Sequence, residues 1–283
     1  MSEQSKPLTD WIGSTEQRED LITLAPALGV SALLDRAGPL PENGMPLPAL
    51  WHWFYFLPQV PNSRIGVDGH PQRGGFLPPV ELPRRMFAGA RMEFLQPLVI
   101  GLPARREGEV LKVTEKSGKS GALVFVTVEY RIYQNDQLAI REEQDIVYKE
   151  AGGRIDCPVP LAQWPAAPAG AWVQLVEPSE VMLFRFSALT FNAHRIHYDR
   201  PYAMKEEGYP GLVVHGPLTA LLLAELAAQR SARRLRAYSF QGRAPLFDLY
   251  PFRLIGSAEG DSVLLEAQGP MGETAMTAKA LLE

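Results

Sequence analysis

Residues 186–217 read FSALTFNAHRIHYDRPYAMKEEGYPGLVVHGP and hold three of the chain's five histidines. Within them Asn192 stands five residues before His197. His215-Gly216 then opens the run LTALLLAELAA, whose period is that of a buried helix, with Pro217 tolerated in its first turn. At a helix start the backbone N–H groups are unpaired and carry positive partial charge, so the Gly216 N–H is suited to hold a carbonyl or oxyanion. Gly216 serves close helix packing equally well, and the two roles are compatible.

Three readings apply to the histidines. His194, His197 and Asp199 are metal-ligand types, but no third strong ligand cluster accompanies them and Arg195 interrupts them, so no metal is expected. A turn histidine can also serve structure alone. Here, however, the polar run FNAHRIHYD lies between apolar segments, where acid–base residues are placed, and imidazole takes and gives protons near neutrality.

At 283 residues, 46% hydrophobic and 21% charged, the chain is long enough for two ordinary domains and is globular rather than disordered. A net charge of −4 argues against a nucleic-acid binder. The single cysteine, Cys157, excludes an internal disulfide and fits a reducing cytoplasm. The polar N-terminus lacks the apolar core of an export signal, and the longest apolar runs are too short to span a bilayer, so no membrane partner is expected.

Proline and glycine cluster twice, in a long loop at 58–83 and in the linker-like CPVPLAQWPAAPAGAW at 157–172. The same order of signals appears on both sides of the second cluster. An amphipathic helix pattern at 20–35 comes first, and then ALWHWFYFL (49–57) reads as a buried helix. RMEFLQPLVIG, ALVFVTVEYRIY and AIREEQDIVYK follow as strand-like runs. In the second half the helix at Gly216 precedes YSFQGRAPLFDL, which matches RMEFLQPLVIG with Pro97 on Pro245 and Leu98 on Leu246. RLIGSAEG, SVLLEAQG and ETAMTAKALL complete it. A helix followed by antiparallel strands, twice over, suggests a duplication.

The string Thr190-Phe191-Asn192-Ala193-His194-Arg195-Ile196-His197, with His215-Gly216 downstream, resembles the signature of the MaoC-like hydratase family. WHWFYFLP, DGHPQRGGFLPPV, LPRRMFAG and FSALTFNAHRIHYD extend the likeness over nearly the whole chain. They bring it nearest the double hot dog branch of itaconyl-CoA and mesaconyl-C4-CoA hydratases and fungal mitochondrial hydroxyacyl-thioester dehydratases.

The resemblance implies an α+β double hot dog fold: two tandem domains, each an antiparallel sheet wrapped around a long central helix. The domains would span 1–156 and 173–283, with the linker at 157–172 between them, and such folds commonly form homodimers. It further implies a hydro-lyase adding water reversibly to a 2-enoyl thioester. CoA would be part of the substrate and no cofactor would be needed. Gly216 N–H would bind the thioester oxygen, and Asn192 and His197 would hold the water. His197 would remove its proton, with His194 and Asp199 in reserve. Relatives carry Asp where this chain has Asn192, and an amide cannot exchange protons at neutral pH.

The first half would complete the pocket with Trp51, Trp53, Phe54 and Tyr55, favouring a short acyl group. The loop at 69–76 would cover the entrance, and its Gly75 and Phe76 would bind substrate together with His215. A dicarboxylic substrate needs a cation, for which Arg195, Arg73, Arg84 and Arg85 are candidates; Arg233, Arg234 and Arg236 could meet the CoA phosphates. The first expectation is hydration of itaconyl-CoA or mesaconyl-C4-CoA to citramalyl-CoA. The alternatives are a 3-hydroxyacyl-thioester dehydratase of fatty acid metabolism and a non-catalytic acyl-CoA-binding protein.

Overall fold

Two β-bridges at matching places relate the halves of the computed structural model, which describes residues 6–118 and 121–283. The Leu47 N–H donates to the Leu98 carbonyl, and the Val214 N–H donates to the Leu246 carbonyl. The isolated bridges Pro46–Val99 and Val213–Phe247 accompany them. Leu98 and Leu246 are thus equivalent in space as well as in sequence. Residues 1–5, part of the polar N-terminus read above, lie outside the described residues.

The first half contains β1 (Thr15–Leu21), α1 (Leu24–Leu33), β2 (Arg84–Phe94), β3 (Pro103–Gly118), β4 (Gly121–Gln134) and β5 (Gln137–Lys149). The second contains β6 (Trp172–Val176), α2 (Glu180–Leu189), α3 (Arg200–Lys205), α4 (Gly216–Ser231), β7 (Leu235–Gly242), β8 (Phe252–Glu259), β9 (Ser262–Gln268) and β10 (Thr274–Leu282). Among the described residues the strands form one antiparallel sheet in the order β1-β3-β4-β5-β2-β7-β10-β9-β8-β6. Read from its two ends, this is the same topology twice, joined where β2 pairs with β7. The fold is the expected tandem hot dog, α+β in class.

The central helix of the second half is α4. Leu218, Ala220, Leu221, Leu223, Leu226 and Ala227 are buried against the sheet, and a left-handed Ala232 (φ 52°) ends the helix. The first half departs from expectation at the equivalent place. After Leu47 the chain makes only one 3-10 turn, Trp51–Phe54, instead of a long buried helix. Left-handed Leu50 and Phe56 bracket that turn, and prolines follow at 58 and 61, so the chain cannot propagate a helix.

The aromatic run is core. Trp51 Nε1 donates to Glu225 on α4 at 2.8 Å, Phe54 packs edge-on against Phe186 of α2, and the Tyr55 hydroxyl donates to the Thr23 carbonyl. Trp53, half-buried, donates to Glu142, which also pairs with buried His52 at 2.9 Å. Sequence periodicity missed β1, β3 and β6. β1 (TEQREDL) and most of β3 are highly charged, and their outward residues pair with one another, as Arg106 does with Glu16. Residues 157–171 run between β5 and β6 without regular structure. They pack on the second half through Arg253, which donates to the Pro165 carbonyl and lies over Trp164.

The β2–β7 joint has a steric requirement. Gly89 sits at a register shift in β2, and a Cβ there would lie 2.5 Å from the Phe240 carbonyl oxygen of β7. Gly89→Ala should therefore destabilise the protein by about 1–3 kcal/mol, read as a lower urea midpoint with an unchanged slope.

Candidate active site

Helix α2 delivers the motif. It is capped by Ser179, whose hydroxyl accepts from the Met182 N–H, and Phe191 in the left-handed region (φ 49°) turns the chain away after Leu189. Asn192 stabilises the turn: its Oδ1 accepts from the His194 N–H at 3.0 Å. A short 3-10 turn, Arg195–His197, then buries the His197 ring.

The His197 Nδ1 lies 2.7 Å from the Val213 carbonyl. A carbonyl only accepts, so Nδ1 carries the hydrogen and Nε2 of the neutral ring keeps its lone pair. The His215 ring stacks on His197 (centroids 3.6 Å apart, planes 18°), and its Nε2 lies 2.8 Å from Ser187 Oγ. His194 stands edge-on to His197 at 5.3 Å. On its other side lies His70 of the first half, 4.0 Å away between ring centroids. His70 is fixed in turn by Asp68, whose Oδ2 is 3.0 Å from His70 Nδ1 and whose Oδ1 accepts the His70 N–H. Four of the five histidines therefore form one column built from both halves.

The segment carrying Asp68 and His70 docks by its backbone. The Asp68 carbonyl accepts the Arg195 N–H, and the Arg195 guanidinium donates to the Val67 carbonyl. Gly69, at φ +91°, is pressed so close to the motif that a Cβ would lie 1.7 Å from the Ala193 carbonyl oxygen. Only glycine fits there.

Electrostatics keep the column neutral. Burial, reinforced by the neighbouring histidines, holds His197 down at about 3. Burial and the charge of His70 hold His194 at about 3 as well. His215 is pushed far down by burial and by His197. Burial also lowers His70, although Asp68 works against the shift. For Asp68 burial acts upward, but the two bonds from His70 and the nearby imidazoles bring it below the usual carboxylate range.

Gly216 opens α4, and among the described residues no acceptor is bonded to its N–H. A Cβ on Gly216 would meet only the Phe87 carbonyl oxygen, at 3.8 Å. Packing within the protein therefore does not demand glycine there, and the room is open to a ligand.

The model of the family described as hydroxyacyl-thioester dehydratase type 2 matches residues 50–248 of this chain. The chain belongs to that family. It is 59% identical over 268 residues to the mesaconyl-C(4)-CoA hydratase of Chloroflexus aurantiacus, covering 95% of both chains. It is 26% identical over 277 residues to the mitochondrial hydroxyacyl-thioester dehydratase type 2 of Schizosaccharomyces pombe, covering 86% of this chain and 90% of that one. Solved MaoC-like dehydratases share the fold. One superposes with a TM-score of 0.70 at 15% identity over 98% of this chain and 99% of its own, and that of Phytophthora capsici with 0.65 at 10% identity over 98% of each. Hydratase or dehydratase chemistry on an acyl thioester follows from membership of the dehydratase family.

Within this dehydratase framework the nominated arginines separate. Arg195 pairs with Asp199 at 2.7 Å, and Asp199 also caps α3 by accepting the Tyr202 N–H, so these two residues brace the fold. Arg73 donates to the carbonyls of Val80, Leu82 and Pro83. Arg84, buried, pairs with Glu207 and donates to its carbonyl and to that of Gly152. Arg85 differs: it is half-buried, its charge is felt by both His70 and His194, and among the described residues no hydrogen bond or ion pair engages it.

The Gly75 carbonyl accepts from Trp11, and Phe76 packs near Tyr130 over a second core of β3–β5. Arg233 and Arg234 pair with Asp261 and Glu283 beyond the far end of α4, about 24 Å from Gly216 at 1.5 Å per residue. Sequence reasoning missed Asp68, His70 and Ser187. The string DGHPQRGG carried the first two, but nothing local says that residue 69 touches residue 193.

Two outcomes follow. Unfolded histidines titrate near 6.5, so between pH of about 3 and 6.5 the unfolded state binds more protons than the folded one. Stability should therefore fall as pH drops below about 6.5 and be level above it, with a shallower fall in His194→Gln, as thermal melts would show. Gly69→Ala should undock the segment and cut turnover at least about tenfold, with faster proteolytic nicking near residue 70.

Proposed function

We propose that this protein hydrates the C–C double bond of a short branched dicarboxylic CoA monothioester, mesaconyl-C4-CoA or itaconyl-CoA, to give citramalyl-CoA. The observation that carries this reading is Arg85, a half-buried guanidinium with no hydrogen-bond or ion-pair partner among the described residues, whose field reaches His70 and His194. An unpaired cation at that depth suits a second substrate carboxylate. The 59% identity to a protein named for mesaconyl-C(4)-CoA supports it.

The thioester oxygen accepts from the Gly216 N–H, aided by the positive end of α4, and this withdraws charge from the β-carbon. His197 Nε2 and Asn192 fix the attacking water; the neutral imidazole accepts one of its hydrogens. In mesaconyl-C4-CoA, whose double bond is conjugated with the thioester, the water oxygen bonds to the β-carbon as its other proton passes to a neutral imidazole of the column, and the alkene electrons move to the thioester oxygen as an enolate. A proton is then returned at the α-carbon.

A second reading, dehydration of longer 3-hydroxyacyl thioesters, is favoured by the exposed apolar side chains Val181, Phe184, Phe191 and Tyr198 beside the motif, a surface on which a carrier or long acyl chain could rest. Loss of enoyl-thioester absorbance with a panel of CoA esters separates the readings. Mesaconyl-C4-CoA should be the best substrate; activity on crotonyl-CoA with none on mesaconyl-C4-CoA would overturn the proposal. Arg85→Gln should lower kcat/KM for mesaconyl-C4-CoA by about 30- to 100-fold while changing crotonyl-CoA turnover little.

A further inference from the structure

The water's departing proton needs a carrier, and the motif supplies a poor one. A proton on His197 would sit in a buried ring stacked 3.6 Å from His215, with only a carbonyl behind it. Position 192 holds an amide, which cannot exchange a proton at neutral pH and whose oxygen already accepts from the His194 N–H. Of the four histidines in the column, His70 alone has a carboxylate hydrogen-bonded to its ring, at 3.0 Å. That carboxylate fixes the hydrogen on Nδ1, so Nε2 of the neutral ring is a lone pair with no partner among the described residues.

We propose that His70 is a further catalytic residue, the carrier of the proton, and that Asp68 is its positioning residue. The inference rests on the hydratase reading above. In the step, the water keeps the hydrogen it donates to His197 and gives the other to His70 Nε2 as its oxygen bonds to the β-carbon. The resulting imidazolium is stabilised by the Asp68 carboxylate. It returns the same proton to the α-carbon as the enolate collapses, so both the residue and the charge are restored. The carboxylate that the motif lacks thus comes from the other half of the chain.

Ligand atoms of Asp68, His70 and His194 lie within 4.8 Å of one another, a distance a cation could also use. Against that, Asp68 is already held by the His70 ring and N–H, and the two imidazoles overlap at 4.0 Å with planes only 38° apart, which does not converge their lone pairs.

The test compares His70→Gln, His197→Gln, Asp68→Asn and Asp68→Glu with the wild type on mesaconyl-C4-CoA, with folding followed by thermal melting. Glutamine can still accept a hydrogen bond from water but cannot hold a proton. His70→Gln should therefore lose about 100-fold or more in kcat with KM changed little, and His197→Gln should lose less. Asp68→Asn should fall about tenfold or more, with recovery in Asp68→Glu, and the Asp68→Asn/His70→Gln pair should be no worse than His70→Gln alone. If His70→Gln does not fold, rescue of His70→Ala by free imidazole gives the same answer. A His70→Gln enzyme within about threefold of wild type, His197→Gln the more damaged of the two, imidazole without effect, or a stoichiometric transition metal in the purified enzyme would each overturn the proposal. A wild type that hydrates no ester of the panel would instead overturn the functional reading, and this inference with it.

Discussion

The active column depends on one close approach of backbones, Gly69 against the Ala193 carbonyl, where a Cβ would lie 1.7 Å from the oxygen. Two backbone-directed bonds from Arg195, to the Asp68 and Val67 carbonyls, hold it in place. Because of this contact, a loop of the first half delivers Asp68 and His70 to a motif of the second. The contact is possible because β2 and β7 fuse the two half-sheets in register. Duplication has thus become division of labour. One half has the long helix, with its N-terminus beside the histidine motif. The other reduced its helix to the single turn Trp51–Phe54 and contributed a carboxylate-backed imidazole.

The charges follow from the same packing. Four imidazoles packed together and away from water cannot share more than a little positive charge, so the column is neutral at rest and protonation is costly wherever no anion helps. Neutral rings are what hydration needs, since each offers a lone pair to water. Arg85 adds a fixed positive charge nearby, which discourages protonation further. Binding of a dicarboxylic thioester would complete the electrostatics of the site as well as fill it.

Much of this was legible in the sequence, for definite reasons. Burial alternates along β4, β5, β9 and most of β10, β8 opens with a continuous buried run, and α4 announces itself by Gly216-Pro217 and its apolar run. The likeness of Pro97-Leu98 to Pro245-Leu246 marked a true structural equivalence. The aromatic run at 49–57 misled because burial, which the sequence signals, does not fix secondary structure. Its residues are buried around a 3-10 turn whose geometry is set by left-handed Leu50 and Phe56. Asn192, His197 and Gly216 could be singled out as candidates because they fall within one short stretch of sequence. Asp68 and His70 could not, because their partner lies over 120 residues away. Nor does sequence distinguish Arg85 from Arg84: adjacent residues of β2 point to opposite faces, and only the structure says which one finds a partner.

The most direct measurement is a crystal structure with a non-hydratable analogue of mesaconyl-C4-CoA bound. The account predicts the thioester oxygen on the Gly216 N–H, the distal carboxylate on Arg85, and the β-carbon beside a water held by His197 and within reach of His70. An acyl group bound away from the histidine column, with Arg85 and Gly216 left unengaged, would contradict it.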